Sequence, residues 1–110
     1  MQNLIKDVQY LISIEYQRAS TKFGPLNHSE HESSAIISEE VEELRDEFIS
    51  LSEHGMKFWE FVKSNASDED KTKALNSLHH DALLAACEAI QVAAMAYKAE
   101  QTIKSRGEHK

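Results

Sequence analysis

Glu88 is the single carboxylate inside an otherwise apolar stretch, Ala82–Tyr97 (ALLAACEAIQVAAMAY). The only other strongly polar side chain there is Gln91, three residues on and so on the same face of a helix. An ionised carboxylate is costly to bury unless it is paired or bound to a metal. Elsewhere the chain carries an unusually acidic segment, Ser38-Glu39-Glu40-Val41-Glu42-Glu43-Leu44. Laid against each other, the two segments would gather carboxylates around a hard cation.

Spacing within the acidic segment supports that chemistry. Ile36, Glu40, Glu43 and Glu47 form one helical row beside the apolar seam, so Glu40 and Glu43 border the core face. Like-charge pairs such as Glu39–Glu43, Glu40–Glu43 and Glu43–Glu47 each cost an isolated helix about 0.2–0.5 kcal/mol. A divalent ion turns this repulsion into ligation, and oxygen-only donors suit Mg²⁺ or Mn²⁺. The competing reading is a solvated acidic face, with Glu88 paired to a Lys or Arg of the first helix.

Other constellations are weaker. His28 and His31, and the neighbours His79 and His80, lack a Cys partner at structural-zinc spacing, and adjacent histidines diverge on a helix. A di-iron bundle needs Glu-x-x-His steps, and the step from Glu88 lands on Gln91. Phe58, Trp59 and Phe61 read as core packing, with a base-stacking platform as the alternative. The lone Cys87 precludes an internal disulfide, fits a reducing compartment, and reads as a small core residue.

The elements that must position these residues are helical. Three Gly and one Pro among 110 residues, with abundant Ala, Leu, Glu and Lys, favour helix. A first helix spans about Asn3–Thr21 and ends at Gly24-Pro25. A second opens with Ser29 and Glu32 in capping-box spacing and carries the row Ile37, Val41, Leu44, Phe48, Leu51, with Gly55 as its stop. A short aromatic helix over Met56–Val62 follows, then a loop and N-cap over Asn65–Asp70. The last helix runs from Asp68 to about Ser105 and stops at Gly107, with a polar tail from Lys104 to Lys110. Unbroken, it would measure roughly 55 Å, longer than a compact domain of this size, about 35 Å across. It must therefore break near Asn76–His80 or pack on a partner. Its core row is Leu83, Cys87, Ile90, Ala94, Tyr97, flanked by Leu84, Glu88, Gln91, Met95, Lys98. The expectation is one all-α domain over residues 1–110, a four-helix bundle assembled as a homodimer or homotetramer.

Composition excludes several partners. A formal charge of −7 argues against a nucleic-acid polymer, which basic patches recognise. The Ala82–Tyr97 run is shorter than the roughly 20 residues of a membrane span and contains Glu88. Met1–Asp7 is amphipathic and acid-bearing, unlike a signal peptide. A soluble cytoplasmic protein, with no membrane partner, is expected.

The two motifs in order resemble the MazG-like all-α NTP pyrophosphohydrolases. Their Glu-Glu-x-x-Glu pattern appears as Glu39-Glu40-Val41-Glu42-Glu43, and their later Glu-x-x-Asp as Glu88-Ala89-Ile90-Gln91. Glu15–Phe23 is similar to the family's first-helix end. His31-Glu32 followed by Ile36-Ile37-Ser38-Glu39-Glu40 is similar to one subgroup's entry into the acidic helix, and Gln91–Ala96 to its late helix, where Gln often replaces Asp. The likeness covers about two thirds of the chain and leaves out Ser52–Leu78. It implies Mg²⁺-dependent hydrolysis of a nucleoside triphosphate to the monophosphate and pyrophosphate, with Mn²⁺ as a substitute. It implies Glu40, Glu43, Glu88 and Gln91 as metal ligands, and Glu39, Glu40 and Glu43 as the catalytic set, Glu39 serving a second ion or the attacking water. Arg18, Lys22 and Lys98 become phosphate contacts. The amide of Gln91 removes one negative charge from such a site.

Overall fold

A computed structural model describes residues 1–108, and among them all regular structure is helical: α1 (Gln2–Phe23), α2 (Glu30–Lys63) and α3 (Asp68–Glu108). The all-α expectation holds. The expected four helical segments are three helices, because the second and the short aromatic one are fused. Gly55 sits within α2 instead of ending it. A helix-interior Gly costs about 1 kcal/mol, and the partly buried Leu51 and Phe58 on either side of it outweigh that cost.

Each helix end has a local cause. Gly24 closes α1 at φ 90°, ψ 158°, a region reserved for glycine, and donates its N–H to the carbonyl of Ser20 at 2.8 Å. Ser29 caps α2 by accepting the Glu32 N–H at 3.0 Å, half of the expected capping box. The true stop of α2 is Asn65 in the left-handed region (φ 53°), where Ala66 N–H reaches the Phe61 carbonyl (2.9 Å) and Asn65 N–H that of Val62 (3.2 Å). Ser67 then caps α3 through the Asp70 N–H at 3.1 Å, and Asp68, Glu69 and Asp70 lie at the positive end of its dipole.

α3 does not break near Asn76–His80 and continues past Gly107 to Glu108; the last two residues of the polar tail lie outside the described residues. By length and composition α3 suffices to cross a membrane, with a mean hydropathy of 1.3 over its most apolar 18-residue window. The short run expected from the sequence is thus part of a much longer helix.

Contacts group the chain into two compact units. One comprises Met1–Val41 with the chain from Glu88 onward, the other Glu42–Cys87. In the first, the Tyr16 hydroxyl donates to the Pro25 carbonyl (2.9 Å) and its ring meets Tyr97 edge-on, with centroids 4.8 Å apart. Asn27, buried in the α1–α2 loop, donates its N–H to Thr102 Oγ1 (2.9 Å) and its Nδ2 to Ser33 Oγ (2.7 Å). In the second, buried Asp81 of α3 accepts hydrogen bonds from His54 Nδ1 and from Ser50 Oγ (3.1 Å) of α2.

The face that α3 turns inward takes only Ile90 and Ala94 from the expected apolar row. Leu83, Cys87 and Tyr97 are exposed, and Ala94 alone of that row is buried. The inward row is the neighbouring one, in which Glu88, Gln91 and Met95 are half-buried and Lys98 is buried, continued by buried Thr102. Small Ala74 and Ala94 let the helices approach, and hydrogen bonds to Asp81 and Thr102 offset the cost of burying polar groups there. Trp59 is likewise exposed and outside the core, whereas Phe58 and Phe61 are half-buried.

Candidate metal centre

Glu40 and Glu43 lie one turn apart on α2, and Glu88 lies on the inward row of α3. One carboxylate oxygen from each of the three lies within 4.8 Å of the others. Glu40 and Glu88 are half-buried, with their Oε2 atoms closed off from solvent, while Glu43 is exposed. Carboxylate oxygens at this separation match the donor set of a hard divalent cation. The burial differences rank them: Glu40 and Glu88 are half-buried, and Glu43 supplies a solvent-facing oxygen.

The other expected residues divide sharply. Gln91, one turn beyond Glu88, lines a recess of about 410 Å³ together with Glu40 and Lys98. Phe23, Leu26 and Met95 provide much of the recess's apolar wall. Lys98 is only 5% exposed, which makes it the basic residue built into this wall and not a solvated one. One turn on, Thr102 Oγ1 donates to the Lys98 carbonyl (2.8 Å) while accepting the Asn27 N–H, which ties the α1–α2 loop to this part of α3.

Arg18 and Lys22 are not part of that wall. Arg18 is engaged by Glu15 through two hydrogen bonds, at 2.7 and 3.1 Å, and the first effect of that pairing is to raise the guanidinium pKa. Lys22 is exposed, with its ammonium 5.2 Å from the Phe23 ring centre. Glu39 is exposed and stands outside the group of three. Trp59 belongs to the Glu42–Cys87 unit and does not line the recess.

Two relationships were not legible beforehand. The Asn27–Thr102–Ser33 network, which sets the loop over the recess, links residues 75 positions apart. The Asp81 carboxyl is held below the usual carboxylate range, first by its hydrogen bond from His54. Comparison with family models, with curated proteins and with solved structures returns no match.

Proposed function

We propose that the chain is a Mg²⁺-dependent nucleoside triphosphate pyrophosphohydrolase of the MazG-like kind, releasing pyrophosphate and a monophosphate from an NTP or dNTP. The observation that carries this reading is the convergence of Glu40, Glu43 and Glu88 beside a largely apolar recess. Those three residues, with Gln91, would hold the ion; when bound, it neutralises phosphate charge and acidifies a water. The protein's own share is positional. Phe23, Leu26 and Met95 offer an apolar seat for a base, and buried Lys98 offers a cation to a phosphate. Glu39 remains the candidate for orienting the attacking water.

Two further expectations belong to this reading, a four-helix bundle and, from the long final helix and small core, a homodimer or homotetramer. A cytoplasmic location accords with the acidic balance and with Glu88 and Gln91 interrupting the apolar stretch of α3. A second reading, a catalytically weak nucleotide-binding module, is favoured by the amide at Gln91 and by Arg18 being engaged with Glu15.

The test is incubation with the common NTPs and dNTPs plus Mg²⁺ or Mn²⁺, assayed for pyrophosphate. Release supports the hydrolase. Release only by the Gln91→Asp variant supports the weak module, and none from either protein overturns both forms of the chemistry.

A further inference from the structure

The compact unit Glu42–Cys87 holds a recess of its own, about 260 Å³ in volume. One stripe from each of two helices makes its walls. His54, Lys57 and Phe61 come from α2 at steps of three and four. Asp70, Lys73 and Ser77 come from α3 at the same steps, with the small, buried Ala74 among them. Such spacing brings the side chains of each helix to one face.

His54 is oriented by a residue outside the recess. Asp81 lies one turn past Ser77 and is only 6% exposed. Its Oδ2 accepts hydrogen bonds from the Ser50 hydroxyl (3.1 Å) and from Nδ1 of His54. The hydrogen therefore sits on Nδ1, the ring is fixed on that side, and Nε2 is the nitrogen His54 has left to offer. Nε2 makes no hydrogen bond among the described residues, and neither does the Ser77 hydroxyl.

Charge and donor type specify the ligand. In a chain of net charge −7, this recess carries two ammonium groups, Lys57 and Lys73, against the single carboxylate of Asp70. Among the described residues Lys57 has no carboxylate within ion-pair distance; its ammonium lies 5.7 Å from the Phe61 ring centre. Lys73 is held only by the exposed Glu69, at 3.4 Å. Lysines offered from two helices suit a tetrahedral oxyanion, which accepts from several directions, better than a planar carboxylate. A phosphate group also matches His54 in either protonation state. Its P–O⁻ accepts from a doubly protonated ring, and its P–OH donates to Nε2 of a neutral one. We propose that this recess binds a phosphate group, as the free ion or as a small monoester, between Lys57, Lys73, Ser77 and Nε2 of His54. Asp81 is the positioning residue, and Phe61 offers an apolar edge to the organic part of an ester. None of these residues belongs to the Glu40, Glu43 and Glu88 group, so the inference does not depend on the hydrolase chemistry.

The test titrates the full chain, kept metal-free with EDTA, with inorganic phosphate and with glycerol 3-phosphate. Sodium chloride at equal ionic strength is the control. Long-range ¹H–¹⁵N NMR of the imidazoles should show a saturable shift of His54 Nε2 at low-millimolar ligand. Lys57→Gln should weaken binding by about tenfold or more, the usual worth of a hydrogen bond to a charged group, and Asp70→Asn should tighten it by removing the opposing charge. Both positions are exposed, so the fold should survive either change. His54→Asn keeps an amide N–H for Asp81 and deletes Nε2, so it should weaken binding as well. A purely structural bond between His54 and Asp81 predicts none of these changes in affinity. Tighter binding of glycerol 3-phosphate assigns the site to a monoester, and tighter binding of inorganic phosphate assigns it to the free ion. Shifts that chloride reproduces overturn the proposal, as does an affinity that neither Lys57→Gln nor Asp70→Asn alters.

Discussion

Asp81 of α3 accepts a hydrogen bond from Nδ1 of His54 on α2, and the carboxylate that does so is buried. The partnership keeps Asp81 ionised below the usual carboxylate range. A carboxyl whose folded pKa is depressed stabilises the protein above its unfolded pKa, about 3.9, and that stability drains as pH falls through the folded value. Urea midpoints should therefore decline on acidification below about pH 4. The Asp81→Asn variant should lose stability at neutral pH and show a shallower acid decline. A variant as acid-sensitive as the parent would mean that Asp81 is not the group responsible.

The burial of Glu40 and Glu88 against the exposure of Glu43 predicts an order of effects. Glu40→Gln and Glu88→Gln should each weaken Mn²⁺ binding by more than the roughly 10- to 100-fold typical of residues that merely support ligands. Glu43→Gln should weaken it less, since water can take the place of an exposed oxygen. Titration followed by Mn²⁺ electron paramagnetic resonance reads all three, and an equal or inverted order would contradict the geometry.

Gln91 sits on the inward row of α3, one turn past Glu88. Replacing its amide by a carboxylate restores the charge that the family pattern carries. Calorimetry should find tighter Mg²⁺ or Mn²⁺ binding in Gln91→Asp; unchanged or weaker binding would remove Gln91 from the ligand set.

Gly24 adopts a backbone conformation that side-chain-bearing residues avoid, although a Cβ there would touch nothing within 4 Å. Gly24→Ala should therefore cost about 1–3 kcal/mol from backbone strain alone. Thermal or urea unfolding measures it, and a neutral substitution would show that the loop can relax.

Recess architecture predicts a further asymmetry. Asn27→Ala removes the hydrogen bond to Ser33 Oγ, at a cost of about 1–3 kcal/mol for the buried groups it leaves behind. It should also loosen the loop that carries Leu26 and His28 into the recess wall. Global unfolding together with hydrogen exchange at residues 26–33 separates the two effects; protection unchanged there would mean that the bond to Ser33 does not hold the loop.

Local chemistry made much of this protein readable from its residues alone. Helix content, the Ser29 and Ser67 caps and the glycine end of α1 all follow from propensity and spacing, which act within a few residues. Judgements that depend on which neighbour a helix face meets fared worse, the approach of Glu40 and Glu43 to Glu88 excepted. Periodicity marks Leu83, Cys87 and Tyr97 as a core row, yet α3 turns Glu88, Gln91 and Lys98 inward instead. A hydrophobic pattern says that a face will be covered, not that the same chain will cover it. Gly55 reads as a stop because glycine is a poor helix former, but the seam on either side of it keeps α2 continuous and Asn65 takes the stop. The tie between Asp81 and His54, 27 positions apart, and the burial of Lys98 arise only once helices distant in sequence are in contact.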